Sequence, residues 1–336
     1  MAASTGLTFG LLCGWTLSLI WKWFVEYTVI VVNNLTKFYG LHSAVEDVTF
    51  TVNRGEVFGL LGPNGAGKST IMKMVASFMP PTSGSVKIMD YDTVKDSLDA
   101  RKCIGYLPGN TPLYSDMTVE SFLRFAAQAK GVKKEQISSE VRGTVSDLGL
   151  SEVRERKIDT LPKGYRQRVG LAQALIGDPP VLVFDDPTGG LDARQSREIE
   201  GLIKDLSGWK TMLIASHNPS KISGLCDRVA FIDKGRVASL GTPRDLTEKY
   251  REHVSIKIIV GDKAKEALKT ICRVEGVLSI LILNSSMLKV DTVGETDLRP
   301  VLADRLVNAG IPLLEIARDE KGLEDVFMDI TGRKVH

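Results

Sequence analysis

A glycine-rich segment carries the residue types that hold phosphate groups. It matches the pattern GxxxxGK(S/T) and comprises Gly62, Pro63, Asn64, Gly65, Ala66, Gly67, Lys68, Ser69 and Thr70. Apolar residues 57–61 before it predict a strand, and the helical spacing of apolar residues after it predicts a helix. In that context backbone N–H groups surround a phosphate, and the helix N-terminus adds positive potential. Lys68 is expected to reach the β- and γ-phosphates of a nucleotide, and the Ser69 hydroxyl to ligate magnesium.

Two adjacent acids follow a second apolar run. Residues 181–184 (VLVF) predict a buried parallel strand, and Asp185 and Asp186 come directly after it. Ligands collect at the carboxyl edge of a parallel sheet. We therefore expect Asp185 to hold magnesium and Asp186 to orient or deprotonate the attacking water. The alternative is that the two acids form only a helix cap or a turn.

The elements that must position these residues alternate along the chain. Strands are predicted at 27–33, 44–52, 57–61, 181–184 and 212–215, and helices at 68–78, 119–150 and 193–206. This alternation predicts an α/β fold with a mostly parallel sheet. After about residue 250 the predicted order is strand, helix, strand, strand, helix, strand, typical of a small α+β domain of the split-βαβ type. The expected domains are 27–250 and 254–332.

Length and composition narrow the class of protein. A chain of 336 residues favours two domains, and 43 basic against 41 acidic residues give no reason to expect a nucleic-acid partner. Four scattered cysteines without a CxxC pair fit reduced thiols. Residues 7–21 form an uncharged apolar run, shorter than a membrane-spanning helix needs. The leader 1–26 is therefore either a membrane-associating helix, a docking segment or an artefact of the assigned start site.

A third motif indicates a specific resemblance to one known family. Residues 161–168 (LPKGYRQR) resemble the signature of ATP-binding-cassette (ABC) ATPases, followed in family order by Gly190-Leu191-Asp192 and by His217. The resemblance implies a P-loop NTPase core with a β-rich N-terminal subdomain and a helical insert at about 106–178. It implies ATP and Mg2+ as cofactors, catalytic roles for Asp186 and His217, and stacking of adenine on Tyr39. It also implies a head-to-tail dimer in which the following residues contact nucleotide: Lys163, Gly164, Tyr165 and Asp192.

Some of these residues also have plain structural readings. His217 taken alone fits a satisfied core histidine, and Tyr39 an ordinary turn aromatic. Asp192 precedes a predicted helix and could cap it, with or without a role at the nucleotide.

The carboxyl end narrows the resemblance further. Residues 322–327 (GLEDVF) and 330–332 (ITG) resemble the tails of ATPase subunits of ABC-2-type exporters, of the daunorubicin-resistance and gliding-motility kind. This implies a separate ABC-2-type membrane permease and a second ATPase subunit, identical or different, with the chain peripheral on the cytoplasmic face of the membrane. The permease is expected to contact the helical insert near Leu113, Tyr114 and residues 119–130.

Three positions depart from the family pattern. Asp186 stands where a glutamate is usual, Gly109 where a glutamine or glutamate is usual, and Pro162 where the signature has serine. A shorter carboxylate reaches a water molecule less easily, and proline offers neither a hydroxyl nor an N–H. We expect ATP binding to survive, whereas hydrolysis could be slow. The alternative function is a slow or non-hydrolysing regulatory subunit of a transporter.

Overall fold

The computed structural model of the protein describes residues 28–250, 254–293, 297–319 and 322–332. The leader expected at 1–26 lies outside these ranges. Within the described ranges the chain forms two compact units: one contains the residues up to Phe58 and Ser69–Ala215, and the other contains Gly59–Lys68 and the residues from Ser216 onward. No helix in the described ranges combines the length and the apolar composition that crossing a membrane requires.

An antiparallel sheet occupies the N-terminal part of the chain. Its strands are β1 (Thr28–Tyr39), β2 (His42–Asn53), β4 (Ser83–Ile88) and β5 (Tyr91–Asp92), in the order β2-β1-β4-β5. Buried residues such as Ile30 and Val32 alternate with more exposed ones, as expected for strands with one face in a core. The strand predicted to end at residue 33 continues to Tyr39, with shifts in register that mark bulges.

A six-stranded, mostly parallel sheet carries the predicted phosphate loop and acids. Its order is β10-β9-β3-β8-β7-β6, with β6, β7 and β8 parallel and β9 and β10 antiparallel. Strands β3, β7 and β8 are buried along their whole length, which explains why each one is a continuous apolar run. The strands are β3 (Val57–Leu61), β6 (Ile104–Leu107), β7 (Val181–Asp185), β8 (Thr211–Ser216), β9 (Arg228–Asp233) and β10 (Arg236–Gly241).

The helices around these sheets differ from the prediction in two places. Helix α1 (Lys68–Val75) ends three residues early, because Ser77 adopts a left-handed φ of 54°. Phe78, predicted to belong to its apolar face, is 72% exposed. The helix predicted at 119–150 is broken at Gly131 (φ 79°). The elements are α2 (Ser97–Lys102), α3 (Val119–Ala129), α4 (Lys134–Asp147), α5 (Lys163–Leu175) and α6 (Ala193–Leu206).

The carboxyl part has the element order that the sequence predicts. Strand β13 lies between β11 and β12, all neighbours are antiparallel, and the sheet order is β12-β13-β11-β14. Strands β11 and β12 are therefore parallel with a strand between them, the split-βαβ arrangement. The domain boundaries at 250 and 254 stay a prediction. The elements are α7 (Pro219–Ser223), α8 (Pro243–Lys249), β11 (Val254–Val260), α9 (Ala264–Ile271), β12 (Val277–Ile282), β13 (Met287–Thr292), α10 (Arg299–Asn308), β14 (Leu313–Asp319) and α11 (Leu323–Thr331).

Two apolar clusters stabilise this part. One face of the carboxyl sheet packs on α9 and α10 through Ile256, Ile258 and Leu302, all fully buried. The last helix, α11, packs against α7 and α8. Its Phe327 ring lies 6.3 Å from the ring of Phe231 on β9. The GLEDVF segment therefore forms part of a core, which accounts for its apolar positions.

Candidate functional site

The predicted phosphate loop connects β3 to α1 in a fixed conformation. Gly65 (φ 82°) and Gly67 (φ 104°) adopt left-handed backbone angles that glycine tolerates best. Gly62 passes so close to strand β9 that a Cβ atom there would lie 2.2 Å from the Ile232 carbonyl oxygen. The Gly235 N–H donates a hydrogen bond to the Ala66 carbonyl at 2.9 Å. Packing and hydrogen bonding thus hold the loop from the side of β9 and the turn after it.

Lys68 begins helix α1, and its side chain folds back over the loop. Lys68 is 8% exposed. Its Nζ donates hydrogen bonds to the carbonyl oxygens of Gly62 at 2.7 Å and Pro63 at 2.9 Å. Ser69 follows in the first helical turn and is exposed. The ammonium, the helix N-terminus and the hydroxyl are therefore concentrated within a few residues, as phosphate binding requires.

The two predicted acids lie at the carboxyl end of β7. Asp185 is the last residue of the strand and is 6% exposed. Asp186 has a left-handed φ of 50°. Its backbone N–H donates to the Ala215 carbonyl, and its backbone carbonyl accepts a hydrogen bond from the Gly189 N–H at 2.9 Å. A Cβ atom on Gly189 would lie 2.6 Å from Asp186 Oδ2. The Asp186 carboxylate thus folds back over the turn that it begins. It occupies space that is available because residue 189 is glycine.

Two residues that follow or form β6 lie beside Asp185. A Cβ atom on Gly109 would lie 3.3 Å from the Asp185 carbonyl oxygen and 3.5 Å from its Oδ2. On β6, Tyr106 pairs with Val183 of the parallel strand β7. Burial, and then the negative charge of Asp185, raise the pKa of the Tyr106 hydroxyl above its usual range. The sequence alone predicts no role for Tyr106, although its spacing from Gly109 and the alternation of the strand are visible in it.

The signature-like segment packs on the loop that follows the acids. Pro162 occupies the N-cap position of α5 without a side-chain capping bond, and Lys163 and Gly164 lie in the first turn. Gly164 is buried, and a Cβ atom there would lie 2.9 Å from the Gln195 side chain. Farther along α5, Gln167 Nε2 donates to the Pro187 carbonyl at 2.8 Å. Contacts with the loop and with α6 therefore fix the start of α5, next to the turn that carries Asp186.

Lys163 also meets this loop. A Cβ atom on Gly190 would collide with Lys163 Nζ, 2.0 Å away, so the lysine amine lies directly on the glycine. Tyr165, the third residue of the helix, is half-buried.

The remaining predicted residues have mixed outcomes. Asp192 Oδ1 accepts the Gln195 N–H at 2.8 Å and caps α6, which confirms its structural reading. His217 follows β8 and is exposed, so the reading as a core histidine is wrong. Tyr39 ends β1 with 47% of its surface exposed, and its hydroxyl lies 3.4 Å from Met79 Sδ.

Lys68 and His217 belong to one compact unit, and the acids and the signature-like segment to the other.

These features define an ATP-binding cassette. They are a phosphate loop between a buried strand and a helix, acids at the end of a parallel strand, and a signature segment packed beside the acids. A family model described as ABC transporter matches residues 45–189. The linearmycin resistance ATP-binding protein LnrL of Bacillus subtilis (strain 168) is 30% identical over 304 residues, 89% of this chain and 97% of that protein. The chain belongs to the ATP-binding subunits of ABC transporters. It binds ATP and couples ATP hydrolysis to transport.

Two further comparisons agree with this assignment. The Nod factor export ATP-binding protein I of Ralstonia nicotianae is 31% identical over 91% of this chain and 95% of its own length. A dimeric bacterial ABC transporter cassette of known structure superimposes with a TM-score of 0.58 at 25% identity, over 63% of this chain and 98% of that one. The comparisons favour a transport ATPase over the regulatory alternative.

Proposed function

We propose that the chain is the ATPase subunit of an exporter and acts with a separate ABC-2-type permease at the cytoplasmic face of the membrane. Two relatives support export: one is named for resistance to linearmycin and the other for export of Nod factor, and this chain spans nearly their full lengths. The cassette structure that it resembles is a dimer, which supports pairing with a second ATPase subunit, identical or different.

The phosphate loop is the feature on which the proposed nucleotide site depends. In it, residues 62–70 hold the phosphates of ATP through backbone N–H groups, and Lys68 turns from the loop carbonyls to the β- and γ-phosphates. Tyr39, with an exposed ring, stacks on the adenine.

The donor set fits magnesium as well. Ser69 and Asp185 offer a hydroxyl and a carboxylate, the hard oxygen ligands that Mg2+ prefers. When bound, the ion neutralises charge on the phosphates.

Hydrolysis is assigned to Asp186 and His217. Asp186 stands directly after the proposed magnesium ligand, where its carboxylate can orient a water molecule or accept its proton. His217, exposed at the end of β8, is the second polar group proposed to act near the γ-phosphate. Lys163, Gly164 and Tyr165 contact the nucleotide bound by the partner subunit, and Asp192 contributes while it caps α6.

A partly exposed aromatic cluster on the helical insert is the proposed contact with the permease. The Tyr114 ring lies 5.9 Å from that of Phe122 and 5.5 Å from that of Phe125, both edge to face. Tyr114 is 52% exposed and Phe125 is 45% exposed. Exposed aromatic clusters are typical of protein interfaces, where they supply much of the binding energy.

The test of the ATP site is nucleotide binding by Lys68→Ala. The variant should lose ATP affinity or turnover, whereas Lys134→Ala, which removes an exposed lysine from α4, should behave as the wild type. Unchanged binding and hydrolysis in Lys68→Ala would overturn the assignment. Co-purification with the membrane subunit tests the second part, and Tyr114→Ala should weaken that association while ATP affinity stays the same.

A further inference from the structure

The tyrosine on strand β6 has a buried polar group for which the fold gives no reason. Among the described residues, the Tyr106 hydroxyl oxygen is buried and makes no hydrogen bond. A buried hydroxyl left unpaired costs about 1–3 kcal/mol, and such groups are uncommon in folded proteins. Phenylalanine would fill the same space without that cost. The hydroxyl therefore points to a partner that it meets when the protein works.

The pairing of β6 with β7 places the Tyr106 side chain on the face of the sheet that carries Asp185. Tyr106 pairs with Val183 across the parallel strands β6 and β7, so the two side chains lie on the same face of the sheet. Asp185 is two residues beyond Val183 and shares that face. The charge of the Asp185 carboxylate acts on the phenol. The polar side chain on this face of β7 is thus the proposed magnesium ligand.

The loop after β6 contributes no side chain where it passes Asp185. Gly109 passes the Asp185 carboxylate so closely that a Cβ atom would lie 3.5 Å from Oδ2, but glycine offers no polar side chain. Tyr106, three positions earlier, carries a hydroxyl on the correct face.

We infer that Tyr106 is a positioning residue of the ATPase site. In the magnesium complex its O–H donates a hydrogen bond toward the Asp185 carboxylate, directly or through one water molecule, and sets the orientation in which that carboxylate meets magnesium. Groups that orient metal ligands in this way typically change metal affinity or activity 10- to 100-fold when they are removed. The inference rests on the proposed role of Asp185.

The experiment compares Tyr106→Phe with the wild type and with Tyr91→Phe, a matched loss of a hydroxyl from the edge strand β5. Calorimetry measures ATP affinity of the full chain in EDTA and in Mg2+. In EDTA the three proteins should bind ATP equally. The factor by which Mg2+ tightens ATP binding should fall about tenfold or more in Tyr106→Phe alone. Its melting temperature without nucleotide should not fall, because the hydroxyl makes no hydrogen bond among the described residues and meets its proposed partner only in the magnesium complex.

Two results would overturn the inference. An equal effect of Mg2+ on wild type and Tyr106→Phe shows that the hydroxyl does not position the ligand. An equal loss of ATP affinity with and without Mg2+ in Tyr106→Phe shows a merely structural role. If Mg2+ has no effect on ATP binding by the wild type, the assignment of Asp185 itself fails, which is distinguishable from either result.

Discussion

Replacing Gly189 by alanine should displace the proposed catalytic carboxylate without touching the phosphate loop. The new Cβ would lie 2.6 Å from Asp186 Oδ2 and 3.0 Å from Cγ, whereas ordinary contacts begin at 3.4 Å. The carboxylate must therefore move by roughly 0.8 Å, which a side chain does more easily than backbone. Because a misplacement of about 1 Å can cost on the order of a hundredfold, we expect ATP hydrolysis to fall about tenfold to a hundredfold.

The assay is steady-state phosphate release, with ATP affinity measured in parallel. Affinity should stay within about twofold of the wild type, because nucleotide is held mainly by the phosphate loop. Gly201→Ala is the matched control: a Cβ atom at that position in α6 meets nothing within 4 Å, so hydrolysis should be unchanged. Full hydrolytic activity in Gly189→Ala would refute the idea that the position of the Asp186 carboxylate limits the rate.

Three further predictions concern stability. Burial lowers the pKa of Lys130 from 10.5 to about 8. Between pH 8 and 10.5 only the unfolded chain keeps the proton, so the free energy of unfolding should rise by about 3 kcal/mol across this range. Lys130→Met should abolish this rise in urea titrations. Phe327→Ala should cost about 3 kcal/mol, seen as a lower melting temperature, because the ring is 5% exposed. Asp192→Ala should cost about 1 kcal/mol by the same measurement, through loss of the α6 cap. A flat pH profile for the wild type, or unchanged melting of either alanine variant, would contradict the corresponding contact.

Features encoded in neighbouring residues could be predicted from the sequence. The phosphate loop, the strand before Asp185 and the helix after Asp192 each depend on residues within a few positions of one another, where period and motif are directly visible. The carboxyl element order was likewise predicted correctly, because each strand and helix there has its own clear apolar period.

Features that depend on distant pairing could not be predicted. A role for Tyr106 beside Asp185 can be inferred only from the register with Val183, which places both side chains on one face of the sheet. The contact of Lys163 with Gly190 joins residues that are far apart in the sequence. Helix α1 ends at Val75 because the backbone turns at Ser77, although the apolar period continues to Phe78. Local sequence patterns do not contain this information, since tertiary packing decides each case.

Asp186 is the proposed catalytic carboxylate of this transport ATPase. The most direct measurement is steady-state phosphate release, with the membrane partner present, from wild type, Asp186→Asn and Asp186→Glu. We predict that Asp186→Asn binds ATP but loses hydrolysis and accumulates as an ATP-bound dimer. Asp186→Glu should hydrolyse faster than the wild type, because the longer arm reaches the water more often. Hydrolysis by Asp186→Asn at the wild-type rate would contradict this role of Asp186 and place the base elsewhere.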